Sequence, residues 1–91
     1  MEKTKTSVYV GGREYTLVSS DSSEYMQRVA AYTDRALREM TIATHLPAVQ
    51  SNVLAAINLA DELLKSQDEI TRLRARVRDL EEELLSRQGE V

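Results

Sequence analysis

A chain of 91 residues with a formal net charge of −3 holds one small domain, or a small domain and a stalk, and has no bulk positive charge to draw it to nucleic acid or anionic lipid. It lacks Cys, Trp and Phe, and its four Tyr all fall by Tyr32, which excludes a disulfide scaffold and thiolate metal sites and leaves an aliphatic core. No run is apolar enough for a signal peptide or a bilayer span, so a cytoplasmic protein without membrane insertion is expected.

Met1 to Lys5 reads as a polar lead-in. From Thr6, "TSVYV" and "REYTLV" alternate and are rich in β-branched and aromatic residues, with only Gly11 and Gly12 between them. Such a pair predicts a tight β-hairpin over about 6–18, because the two-residue turns that match strand twist need φ > 0. Val8 and Val10 share one face of the first strand, and Tyr15 and Leu17 one face of the second. A lone hairpin is marginal in water, so that face is expected to lie on a helix. In "SSDSSE", Asp21 with Glu24 three residues later forms a capping-type start, with Ser20 or Ser22 as alternative caps. A first helix is expected over about 22–42, with Met26, Val29 or Ala30, Thr33, Ala36 or Leu37, and Met40 on its apolar stripe. Pro47 then breaks the chain and is placed to open the next helix.

From about Pro47 to Gln88 one long helix is predicted, closed by Gly89. Ala56, Leu63, Ile70, Val77 and Leu84 recur every seven residues, and Leu59, Leu73 and Leu80 sit three places later, with Ser66 in the one gap. These are heptad a and d positions and the expected oligomer interface. At roughly 1.5 Å per residue the helix spans about 60 Å, more than so small a domain can cover, so self-association follows. The stripe is broad from Val49 to Leu64 and narrows to the a/d seam from Ile70. The domains expected are therefore a globular head over 1–64 and a coiled-coil stalk over 65–91, in an α+β fold. In a parallel pair Glu69 meets Arg74, and Arg76 meets Glu81. An antiparallel neighbour centred near Arg78 would lay the basic block Arg72–Arg78 over the acidic block Asp79–Glu83. Both arrangements coexist in an antiparallel dimer of dimers.

No catalytic constellation assembles. His45 is the only His and lacks the partners of a metal site or triad. Gly11-Gly12 lacks the Gly, Lys and Ser/Thr of a phosphate loop, and Asp61 and Glu62 point to different sides of a helix. A non-enzyme with no cofactor and no metal is expected. "RLRARVR" is similar in composition to a basic zipper's DNA-reading region. Here, however, the arginines interleave with seam residues Leu73 and Val77 and precede an acidic block, which suits phosphate poorly. A DNA-binding coiled coil is the alternative reading, beside a general oligomerisation adaptor.

Taken together, "VYVGGREYTLVSSDSSEYMQRVAAYTDRALREM" and "NVLAAINLADELLK" resemble the bacterial cell-division protein family ZapA. The resemblance rests on Gly12, Glu14 and Tyr15 in the hairpin, on Tyr25, Arg28 to Tyr32 and Asp34 in the first helix, and on Ala55 to Leu63 in the long one. It implies a cytoplasmic partner of the tubulin-like GTPase FtsZ. Members of the family form dimers, often dimers of dimers, that cross-link FtsZ filaments at the division septum. It also implies a charged contact patch on the head. Arg13 beside the turn is the first candidate, followed by Arg35, Arg38 and Glu39 on the outer face of the first helix and by the loop around His45.

Overall fold

The computed structural model describes residues 2–89; Met1 of the expected lead-in and Glu90 and Val91 of the expected stalk lie outside them. Strand β1 (Thr4–Val10) pairs antiparallel with β2 (Arg13–Ser19), and helices α1 (Ser23–Thr44) and α2 (Ala48–Gln88) follow. The chain divides into two compact units, Met1–Ile57 and Asn58–Val91.

In the first unit the hairpin register sets Val10 opposite Arg13, Val8 opposite Tyr15 and Thr6 opposite Leu17. Gly11 and Gly12 both adopt positive φ, 64° and 81°, the signature of the type I′ turn that follows strand twist. Thr4 and Lys5, expected in the lead-in, belong to β1, since Ser19 and Val18 extend the ladder to meet them. Thr6 and Val8 are buried and Val10 is half-buried, so alternate residues of β1 face inward. Helix α1 packs against β1.

Ser22 caps α1: its hydroxyl accepts the Tyr25 N–H at 3.1 Å. Asp21, the first candidate on sequence, does not cap the helix; its carboxylate accepts the Ser19 hydroxyl at 3.2 Å instead. Ala30 is buried while Val29 stays 38% exposed. The inward stripe of α1 is thus Met26, Ala30, Thr33, Leu37, Met40 and Thr44, spaced by three and four. Its threonines do not break the helix, for Thr33, Thr41 and Thr44 each donate back to a carbonyl four residues earlier. The helix runs to Thr44, two residues past the expected Ile42, and stops at His45, whose φ of 56° is left-handed.

Ser51 and Ala55, one turn apart on α2, complete this small core beside Thr6, Val8 and Ala30. Two of those five carry hydroxyls, and both are satisfied. Thr6 bonds Ser23 at 2.8 Å and Ser51 bonds Thr41 at 2.9 Å, so burial leaves neither hydroxyl to be charged the ~1–3 kcal/mol of an unpaired polar group. Ser51 also joins α1 to the first turns of α2, which begins directly after Pro47.

The second unit is helical to Gln88, with Gly89 in the closing turn. Its charges pair along the helix: Lys65 with Asp61 at 2.9 Å, Arg87 with Glu83 at 2.9 Å, and Arg72 forked onto Glu69. All are exposed, so solvent and salt screen them and they add little to stability.

Candidate functional site

The tip of the hairpin is held from below. Asp34, next to Thr33 in the middle of α1, accepts the Gly11 N–H through Oδ1 at 2.9 Å. Its other oxygen lies 3.1 Å from Nε of Arg38, one turn on. One carboxylate therefore fastens the turn to the helix and orients an arginine beside it. Asp34 is a quarter exposed and Arg38 69% exposed, so the carboxylate is sheltered while the cation faces solvent.

Two shallow grooves meet at this tip. Gly11, Leu37, Ala48 and Asn52 line both; one continues to Arg13, Tyr15 and Val29, the other to Arg38, Thr41 and Ile42. The fold thus brings Arg13 and Arg38, far apart in sequence, to two sides of one glycine turn. Arg13 sits on the strand face shared with Val10 and Tyr15, at the rim of apolar surface.

Other residues expected at the site lie elsewhere. Arg35 and Glu39 pair at 3.6 Å, about 70% exposed, and the Arg35 guanidinium stands 5.8 Å from the Tyr32 ring centroid. A second such stack joins Arg28 to Tyr25. These form a separate aromatic–arginine stripe on the outside of α1. His45 serves the backbone: its N–H donates to the Thr41 carbonyl at 2.9 Å, closing the helix.

Asp34 had no role on sequence grounds beyond the resemblance. Its signal was a carboxylate at an inward spacing of α1, four residues before an arginine. Gln27 was likewise missed: its amide donates to the Ser7 carbonyl at 2.7 Å, and nothing local marks that contact.

Along α2 the heptad residues are uncovered within the single chain. Leu63, Ile70, Leu73, Val77, Leu80 and Leu84 are 45–57% exposed, Ala56 is exposed and Leu59 half-buried. Ile70, Leu73 and Val77 border a shallow apolar trough with the stems of Arg74 and Arg78. Among the described residues no group of acidic or His side chains is arranged to hold a metal ion, and no helix is long and apolar enough to cross a membrane.

The family model described as "Cell division protein ZapA" matches residues 6–89. The chain is 39% identical over 70 residues to the cell division protein ZapA of Halalkalibacterium halodurans, covering 76% of this chain and 77% of that one. It is 32% identical over 79 residues to that of Bacillus licheniformis, covering 86% and 93%. A solved structure, a ZapA mutant dimer from Geobacillus stearothermophilus, superposes with a TM-score of 0.70 at 33% identity, covering 86% of this chain and 92% of that one.

Proposed function

Because the chain belongs to the ZapA family of non-enzymatic cell division proteins, we propose that it binds FtsZ and, by associating with itself, cross-links FtsZ filaments and promotes Z-ring assembly at the septum. The observation that carries this reading is the uncovered heptad seam of α2. Five aliphatic residues from Ile70 to Leu84, each about half exposed, stand at the spacing of a two-stranded seam. Covering the exposed half of such a side chain contributes roughly half of the ~1.5–3 kcal/mol of full burial, so over the whole seam the pairing of two copies is favoured well beyond what the surface charges add. The related structure from Geobacillus stearothermophilus is that of a mutant dimer, which supports a homodimer here, and antiparallel joining of two such dimers accounts for the opposed basic and acidic blocks.

The FtsZ contact is assigned to the hairpin tip, with Arg13 and Arg38 as its basic pair and Arg35, Glu39 and the His45 loop at its margin. A basic tip suits an acidic filament surface. Joining two or four such tips makes weak single contacts effective through local concentration. The protein then works in the cytoplasm at the division site, with no cofactor. The DNA-reading alternative is less well supported, because Arg72, the first arginine of its basic block, is bound to Glu69 of its own helix.

The test is co-sedimentation with GTP-assembled FtsZ at moderate salt, reading both bound protein and additional pelleted FtsZ. Both rise on this reading. Bound protein without extra FtsZ in the pellet removes cross-linking, and neither rising removes FtsZ as the partner.

A further inference from the structure

The two edges of the hairpin are unequal. In an antiparallel ladder, residues alternate between pairs that exchange both main-chain bonds and pairs whose N–H and C=O groups point outward. The two-residue turn makes Val10 and Arg13 a bonded pair, so Val8–Tyr15, Thr6–Leu17 and Thr4–Ser19 are bonded as well. The groups of Lys5, Ser7 and Tyr9 then point out from β1, and those of Glu14, Thr16 and Val18 point out from β2. The β1 edge is guarded: Gln27 on α1 donates to the outward Ser7 carbonyl, and α1 lies along this strand. No side chain among the described residues bonds the outward groups of β2. That strand carries no Pro or Lys and has no bulge, and its two charged residues, Arg13 and Glu14, stand at the turn end, so Tyr15 to Ser19 lack the usual means of protecting an edge.

We propose that two copies of this chain join edge to edge through β2, about a two-fold axis at Thr16, into a four-stranded antiparallel sheet. The inference rests on the self-association proposed above and adds a second contact, in the first unit, to the seam.

Self-complementarity is what selects a second copy as the occupant. A two-fold between identical antiparallel strands pairs the whole of β2 only if it passes through the midpoint, and the midpoint of Arg13–Ser19 is Thr16. Thr16 is also one of the residues whose main-chain groups face outward, so the central pair exchanges both bonds. Glu14 then bonds opposite the partner's Val18, in the same register. On the inner face, Tyr15 falls opposite the partner's Leu17 and Arg13 opposite the partner's Ser19. Tyr15 is 49% exposed in the single chain, and an aromatic–aliphatic cross-strand pair would cover it. On the outer face Lys5 flanks Val18, which puts that lysine two strands from the partner's Glu14. No like charges stand opposite one another, and each patch meets its own copy, as a two-fold interface requires.

The chain has no Cys, so Thr16→Cys supplies a single thiol at the axis. A bonded antiparallel pair holds its Cα atoms about 5.5 Å apart, within disulfide reach. Mild oxidation of Thr16→Cys is expected to give a covalent dimer, whereas Ser7→Cys at the guarded edge stays uncrosslinked. In the unmodified protein, the Thr16 and Val18 amides are expected to exchange at least about tenfold more slowly in the oligomer than in chain diluted to monomer. Amide exchange decides the matter if the cysteine variant misfolds. An oligomer by light scattering whose Thr16 and Val18 amides exchange freely overturns this interface while leaving self-association intact. A monomer at all concentrations overturns both. Protection that appears only when FtsZ is added makes the edge a site for FtsZ and overturns the second copy as its occupant.

Discussion

Asp34 accepts the main-chain N–H of Gly11 at 2.9 Å, joining the turn of a hairpin to a helix that begins well after it in the chain. Through Arg38 the same carboxylate reaches the exposed side of the head. The relationship makes the tip a rigid platform, since the turn cannot swing without giving up a charge-assisted bond.

Asp34→Ala is expected to cost about 1–2 kcal/mol, the range for a hydrogen bond to a charged group discounted for partial exposure. On the proposed FtsZ contact it is also expected to weaken co-sedimentation, by releasing both the turn and Arg38. Asp34→Asn keeps an acceptor for Gly11 and recovers most of the stability. Denaturant midpoints of the two variants, measured side by side, check this; equal losses would mean the contact with Gly11 contributes little.

Gly12→Ala isolates backbone strain. Nothing lies within 4 Å of a Cβ added there, yet φ is +81°, a region that side chains rarely adopt. A loss of about 1 kcal/mol or more follows, and Gly12→Asn should lose less, because Asn tolerates left-handed backbone. Thermal unfolding of the three chains orders them; an unchanged midpoint for Gly12→Ala would contradict the turn geometry.

His45 poses the opposite case, a side chain where glycine fits better. His45→Gly is expected to gain a few tenths to about 1 kcal/mol by relieving the left-handed C-cap. If FtsZ binding is unaltered while stability rises, the imidazole takes no part in the contact. If binding falls despite the gain, the loop belongs to the contact surface.

Leu73→Arg or Leu80→Arg places a charge in the seam, and the oligomer is expected to dissociate by light scattering. Such a variant is expected to bind FtsZ filaments without pelleting extra FtsZ. Arg13→Glu does the reverse: it keeps the oligomer and loses binding. A seam variant that retains the native mass would place the interface elsewhere.

Local features of the chain carried much of this architecture. Two alternating runs around Gly11-Gly12 specify a hairpin and its turn, because a two-residue connection between twisted strands demands positive φ. Apolar residues at spacings of three and four specify α1, and the sustained heptad specifies both a long α2 and the side of it that needs covering. Each of these is a property of neighbours in sequence. What only the tertiary structure decided was the choice among local equivalents. Ser22 caps in place of Asp21, and Ala30 turns inward in place of Val29, since the hydrogen bond of Ser19 and the approach of β1 select between options that periodicity leaves equal. Contacts between distant positions were equally beyond local pattern: Gln27 on the Ser7 carbonyl, Thr41 on Ser51, Asp34 on Gly11. Those contacts set Arg13 and Arg38 on two sides of one glycine turn and leave one strand edge guarded and the other open, because packing joins residues by where the folded chain puts them, and helical or strand period records only which side each one faces.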